Sequence, residues 1–284
     1  MFKCNKLLGV SLAAVMSISA TATNVFAIDT SVIDEKWGKP TVVYGGGLSE
    51  DQIQSTRELF DIEDTNNVYE TSVDANDLYN YLGIAGGDTS SLISSVMVQK
   101  QDSGTGVKVK IITQSNITKI TSNQYANAAI TAGVSDVEID VASVSKVTGE
   151  SALTGVYKAL EANGETLDPD RTQVAQDELE TTNEIAQNNA DDSNFDSARL
   201  DQALVEIKQE LAQIKQNQGS AATTEQVEQV VQDALKKFNL SDIISQDDID
   251  KLIAFAKKYQ NTSAIDSQEV LNQLNKLSGS LKNQ

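Results

Sequence analysis

The chain has 284 residues, of which 39% are apolar and 22% charged, and its 41 acidic and 22 basic side chains give a net charge of −19. It contains no histidine, and its single cysteine is Cys4. These absences exclude Ser-His-Asp and Cys-His catalysis and His/Cys zinc sites. The acidic balance disfavours nucleic-acid binding, because contacts with phosphates need a basic surface.

The first 27 residues have the pattern of a secretory signal peptide. Lys3 and Lys6 precede an apolar run over residues 7–18, and small residues then lead to Ala27 at the −1 position of a cleavage site. The run is shorter than the roughly 20 residues that span a bilayer as a helix. Cys4 precedes the run, whereas a lipoprotein anchor needs a cysteine after it. We therefore predict cleavage after Ala27 and a secreted protein, extracellular or associated with the cell envelope, with no transmembrane segment after cleavage.

Residues 28–39 are predicted to form a leader, and residues 40–165 an α/β domain with a mixed sheet and packed helices. The predicted strands are 41–44, 67–72, 91–100, 106–113 and 137–141, and the predicted helices are 49–60, 74–83, 121–133 and 148–163. Ser49 with Gln52, and Thr121 with Gln124, are capping boxes that begin two of these helices. The turn-forming residues 102–105 predict a hairpin between the third and fourth strands.

Residues 166–284 are predicted to form an all-α helical region that begins at Asp168-Pro169, an N-cap followed by proline at the first helical position. Helices are predicted over 170–189, around 200–214, and over 223–238, 245–259 and 266–281. One apolar face has the 4, 3, 4, 3 spacing of a heptad seam; its members are Leu200, Leu204, Ile207, Leu211 and Ile214. This face is a candidate surface for a partner helix, and the alternative is packing within the protein's own bundle.

The turn between the last strand and its helix is a candidate ligand-binding loop, because the ends of strands commonly carry such sites. Its hydroxyl and glycine residues are Thr148, Gly149, Ser151, Thr154 and Gly155. The alternative explanation is structural. Gly155 would then allow close helix packing, and Thr148 or Ser151 would cap the helix.

Two further patterns have both a structural and a functional explanation. Gly45-Gly46-Gly47 could cradle an anion, but two acids follow where a phosphate-binding loop has Lys-Ser/Thr, which favours a tight turn. Acidic residues in 61–67 and 191–196 could bind calcium, but both segments lack the EF-hand pattern, so helix capping is favoured. We expect no cofactor, with calcium as the alternative.

Three stretches resemble the YpuA-like secreted proteins of Gram-positive bacteria, a family catalogued as domain of unknown function 1002. They are TVVYGGGLS at 41–49, TSNQYANAAITAGVSD at 121–136 and TGESALTGVYKALE at 148–161. The likeness covers most of residues 40–284. It implies export and an envelope or extracellular setting, and it supplies no catalytic residues.

The sequence therefore predicts an acidic, non-enzymatic binding or scaffolding protein that acts at the cell envelope or outside the cell. The expected partner is a protein or an envelope polymer. One alternative is a carboxylate-dependent hydrolase of wall glycans or polymers, which would need two carboxyl groups about 5–9.5 Å apart. The other is a secreted effector that binds a host protein.

Overall fold

The structure is a computed structural model that describes residue 28 and residues 37–282. The predicted signal peptide and most of the predicted leader lie outside the described residues. The strands are β1 (Thr41–Gly45), β2 (Tyr69–Val73), β3 (Ser95–Lys100), β4 (Val107–Ile111) and β5 (Val137–Ala142). The helices are α1 (Glu50–Leu59), α2 (Ala75–Leu82), α3 (Ser122–Ala132), α4 (Ala152–Ala162), α5 (Pro169–Asn188), α6 (Ser197–Gln218), α7 (Thr224–Lys237), α8 (Gln246–Tyr259) and α9 (Gln268–Leu281).

The five strands form one mixed sheet in the order β2-β1-β3-β5-β4. β1 is parallel to β2 and β4 is parallel to β5, whereas β3 is antiparallel to both of its neighbours. The α/β fold class predicted for the first half is confirmed, and so is the helical character of the second half.

The predicted hairpin between the third and fourth strands is wrong, because β5 lies between β3 and β4. The six residues from 101 to 106 can cross the two strand spacings of about 4.8 Å each that separate the ends. β5 is almost wholly buried, while β4 carries Lys108 and Lys110 and is half-exposed. Burial of the apolar strand therefore places β5 inside the sheet and leaves the lysine-bearing strand at the edge.

Local capping signals define several helix boundaries as predicted. Ser49 and Thr121 each form both hydrogen bonds of a capping box, at the start of α1 and of α3. Gly133 has the left-handed conformation that ends α3, with a φ of 102°. Asp168 accepts a hydrogen bond from the backbone N–H of Asp170 at the start of α5.

The two faces of the sheet are covered differently. One face, which includes Val43, Val96 and Ile139, packs against apolar side chains of α2, α3, α4 and α5. The other face packs against Phe60, at the end of α1, and against Ile28. Ile28 is 5% exposed and lies at the N-terminal limit of the described residues.

The helical half shares its core with the α/β half. Ala126 and Ile130 of α3 pack into the apolar core formed by α5 to α9. In the other direction, Ala175 and Leu179 of α5 pack into the core beneath the sheet. Helices α3 and α5 therefore join the two halves in one continuous structure. Among the described helices, none is long and apolar enough to cross a membrane.

The triple glycine after β1 gives a direct test of this packing. A Cβ atom on Gly46 would lie 2.2 Å from the carbonyl oxygen of Val73, which is backbone and cannot move aside. We expect Gly46→Ala to lower the free energy of unfolding by about 2–3 kcal/mol. Gly279→Ala in α9 is the control: nothing lies within 4 Å of its added Cβ, and alanine should stabilise the helix by about 0.5–1 kcal/mol. Urea unfolding measures both, and equal effects would contradict the packing argument.

Candidate functional site

The predicted binding turn after β5 packs inward. Thr154 is fully buried, and Gly155 allows α4 to lie against the sheet, because an added Cβ would be 2.9 Å from Cγ2 of Val96. Gly149 is buried at a φ of 101°, and its carbonyl accepts a hydrogen bond from the Tyr125 hydroxyl. These three residues therefore serve the packing of the fold and are not accessible to a ligand.

Thr148 and Ser151 are the half-buried members of the same turn. The predicted capping role is wrong for the start of α4, where Ser151 makes no capping hydrogen bond through its side chain. Thr148 instead donates a hydrogen bond to Glu150, which also accepts one from Asn183 of α5. The turn is thus tied to the helical half of the protein.

The heptad face of α6 lies in the protein's own core. Leu200, Leu204, Ile207 and Leu211 are each 1% exposed, and Ile214 is partly buried against the same core. The structure therefore has the alternative arrangement, in which the helix packs within its own bundle. The seam offers no surface to a partner helix in this fold.

The glycine turn after β1 is filled by backbone from the segment before β3. The N–H of Gly47 donates to the carbonyl of Leu92 at 2.9 Å, and the N–H of Gly45 donates to Oγ of Ser95 at 3.2 Å. Both donors are therefore used within the chain, which agrees with a tight turn.

The acids in the two candidate calcium segments act as local caps. Asp64 accepts a hydrogen bond from the backbone N–H of Asn66, Asp192 from that of Asn194, and Asp196 from that of Ala198. Within the described residues there is no group of three or more carboxylate, cysteine or histidine side chains placed to hold a metal ion.

A cleft of about 440 Å³ lies where the two halves meet. It is lined by the last turn of α2, the end of α4, the segment 164–167 and the first turn of α5. Its polar groups include the amide of Asn80, the hydroxyl groups of Tyr81 and Thr172, and the carboxylates of Glu161 and Glu165. We take this cleft as the candidate binding site.

Both carboxylates of the cleft already have partners. The Tyr81 hydroxyl donates a short hydrogen bond to Glu161, and the Lys100 ammonium pairs with Glu165 at 3.0 Å. Burial, together with the bond to Glu161, raises the pKa of Tyr81, so the phenol keeps its proton. The Thr172 hydroxyl donates to the backbone carbonyl of Tyr81 at 2.5 Å. These contacts hold the cleft walls in position.

Helix α2, which lines part of the cleft, also carries an exposed aromatic ring. Tyr79 is 60% exposed and directly precedes Asn80, which lines the cleft. Tyr81, two residues further on, is buried, so the short helix α2 directs one tyrosine outward and one into the structure. The sequence pattern does not indicate this site, because an apolar face does not show which of two neighbouring tyrosines is solvent-exposed. The Tyr-x-Tyr spacing in a short helix was the available signal.

A second polar cluster, at the junction of α3, α5 and α6, is wholly enclosed. Lys208 and Glu178 form an ion pair of 2.7 Å with side chains 0% and 1% exposed. The Lys208 ammonium also donates to Oδ1 of Asn127 at 2.5 Å and to Oγ1 of Thr131 at 3.1 Å. Burial lowers the pKa of Lys208 and raises that of the neighbouring Asp201. The lining residues of the cleft do not include this cluster, so we assign it a structural role.

The fold and the cleft define a class of protein in which a mixed five-stranded α/β layer and a helical bundle are joined by helices that pack into both apolar cores. The profile of the family described as "Protein of unknown function (DUF1002)" matches residues 44–277, and the chain belongs to this family. The protein described as "Uncharacterized protein YpuA" from Bacillus subtilis (strain 168) is 31% identical over 252 residues, which cover 87% of this chain and 80% of that relative. These matches confirm the family resemblance seen in the sequence. No solved structure matches the chain.

The enclosed ion pair predicts an asymmetry between single and double substitutions. Lys208→Met leaves Glu178 charged and unpaired in the core, and should lower the free energy of unfolding by about 3–5 kcal/mol. The double variant Lys208→Met, Glu178→Leu removes both charges and should recover much of that loss. Thermal and urea unfolding of the three proteins measure the effect.

The matched control is Lys237→Met, which removes one partner of a largely exposed pair with Glu206. Its effect should stay within about 1 kcal/mol. A double variant at the buried site that is no more stable than Lys208→Met would contradict the assignment of the penalty to an unpaired charge.

Proposed function

We propose that the protein is exported and acts outside the cell as a non-catalytic binding protein that holds a hydroxyl-rich segment of an envelope polymer in the α2–α4–α5 cleft. The observation that carries the proposal is the cleft itself, which is lined by amide and carboxylate side chains and to which α2, the helix that also carries the exposed ring of Tyr79, contributes Asn80 and Tyr81. The exposed Asn80 amide can donate hydrogen bonds to a sugar-like ligand, carboxylate oxygens can accept them from its hydroxyl groups, and a tyrosine ring offers a flat apolar surface to it.

The charge balance supports a neutral or cationic ligand. Removal of residues 1–27 takes away Lys3 and Lys6 and no acid, which leaves 20 basic and 41 acidic side chains and a net charge of −21. At the cleft, Lys100 pairs with one of the two lining glutamates, Glu165. A phosphate-bearing polymer would meet repulsion both from the whole molecule and at the cleft. A neutral glycan segment meets neither.

A binding role is favoured over hydrolysis by the contacts of the carboxylates. In glycoside hydrolysis one carboxyl group protonates the leaving oxygen while the other attacks or activates water. Glu161 accepts a hydrogen bond from Tyr81, and Glu165 pairs with Lys100. Both groups are therefore held by the chain's own side chains. The sequence pattern at residues 1–27 supports export.

Co-sedimentation of residues 28–284 with purified Gram-positive wall sacculi tests this function, with and without calcium. We expect saturable binding, no release of soluble fragments, and a loss of affinity of about fivefold or more for Tyr79→Ala, as for an aromatic residue of a contact surface. Tyr69→Ala is the matched control: Tyr69 is 54% exposed on β2, which contributes no residue to the cleft, whereas Tyr79 lies on α2, which does, so removal of Tyr69 should leave binding unchanged.

Three results would contradict the proposal. Released fragments that disappear in Glu161→Gln would establish the hydrolase instead. Equal losses for Tyr79→Ala and Tyr69→Ala would remove the cleft from the binding site. Absence of binding to sacculi would leave a protein partner, including a host protein, as the remaining hypothesis.

A further inference from the structure

A buried carboxylate on the sheet accepts a hydrogen bond from a backbone nitrogen that is distant in the sequence. Asp140 of β5 is 0% exposed, and its Oδ2 accepts a hydrogen bond of 2.9 Å from the backbone nitrogen of Ile28. Its other oxygen, Oδ1, has no hydrogen-bond partner among the described residues. A buried carboxylate with half of its acceptors unused is costly unless a positive charge lies next to it.

The side chain of Ile28 fixes the position of this nitrogen. It is 5% exposed and packs into the apolar cluster on the α1 face of the sheet. That cluster includes Met97, which is in register with Asp140 across β3 and β5. The Ile28 backbone nitrogen is therefore held at the carboxylate by packing as well as by the hydrogen bond.

The lysine in register with Asp140 lowers the pKa of that carboxyl group and also pairs with a second carboxylate. Lys110, in register with Asp140 on β4, forms an ion pair of 2.5 Å with Glu138. Glu138 on the same strand, and Asp61 after α1, add negative charge to this environment. Burial raises the pKa of Asp140 to about 6, with the Ile28 hydrogen bond and Lys110 acting in the opposite direction. While the donor is a neutral amide, the charged carboxylate therefore lowers stability as the pH rises through about 6.

The sequence places the expected cleavage site at this same nitrogen atom. Hydrolysis of the Ala27–Ile28 peptide bond by a signal peptidase consumes one water, leaves a carboxylate on Ala27 and frees the amine of Ile28. That amine takes up a proton, since an α-amino group has a pKa of about 7.7–8.0. A neutral donor then becomes a cation at an unchanged position, beside a buried carboxylate that has an unused acceptor.

We propose that signal-peptide cleavage creates a buried ion pair between the α-ammonium group of Ile28 and the carboxylate of Asp140, which locks the new N-terminus onto the sheet. The inference rests on the proposed export, because cleavage of the signal peptide during export is the step that frees the amine of Ile28. Removal of the signal peptide would then be coupled directly to the final stability of the fold.

Four proteins test the pair: the chain starting at Ile28 and the chain extended back to residue 24, each with Asp140 and with Asp140→Asn. All described strands and helices follow residue 28, so both lengths contain the complete described fold. We expect the extension to lower the Tm by about 5 °C or more with Asp140 present, and by much less with Asp140→Asn. Since any steric effect of the extension is common to both backgrounds, the difference isolates the charge.

The control is Asp61→Asn, an exposed carboxylate near the same site, which should leave the effect of the extension intact. The pH dependence gives a second readout. Pairing raises the pKa of the α-amino group in the folded state, so on the alkaline side, where Asp140 is charged, the added stability is still present at about pH 7.7 and is lost at higher pH. Asp140→Asn should abolish this alkaline loss.

An extension effect of equal size in both Asp140 backgrounds, or no effect at all, would overturn the ion pair. N-terminal sequencing of the protein from culture medium and wall fractions separates this inference from the export proposal. An exported protein that starts at Ile28 supports both. One that starts elsewhere overturns the inference alone, whereas a protein retained in the cell with residues 1–27 attached overturns the export proposal.

Discussion

The enclosed contact between Lys208 and Glu178 is the polar constraint that the packing of the two halves has to satisfy. A lysine ammonium in an apolar interior is tolerated when its protons are all accepted, and here the acceptors come from both α3 and α5. The hydrogen bonds of the Lys208 side chain on α6 therefore link α6 to both α3 and α5. Because α3 also packs on β4, this polar contact sets the position of the helical half against the sheet.

The candidate cleft is a consequence of the same arrangement. Its walls come from α2 and α4, which belong to the α/β half, and from the first turn of α5, which begins the helical half. The buried bond from Thr172 to the backbone of Tyr81 joins these two sides directly. A site built at such a junction needs both halves to be folded, so its geometry is as stable as the shared core beneath it.

The acidic composition has two different physical meanings in this protein. Most of the acids are solvated or cap local turns, as Asp64, Asp192 and Asp196 do, and they require no partner from elsewhere in the chain. Asp140 and Asp201 are buried, and burial raises the pKa of each. Amino-acid composition does not distinguish these acids, although only the buried ones need hydrogen-bond donors or paired charges from the surrounding structure. The surface acids bear instead on which ligands the protein attracts.

The sequence by itself determined several helix boundaries and the fold class, because capping and hydrophobic periodicity depend on residues that are close together in the chain. The capping boxes at Ser49 and Thr121 and the Asp168-Pro169 start are hydrogen-bonded arrangements of adjacent residues. Tertiary structure alone decided that β5 separates β3 from β4, that the α6 seam is internal, and that Tyr79 is exposed while Tyr81 is buried. Each of these outcomes depends on which distant segment covers a given face, and periodicity within one segment carries no information about that segment's neighbour.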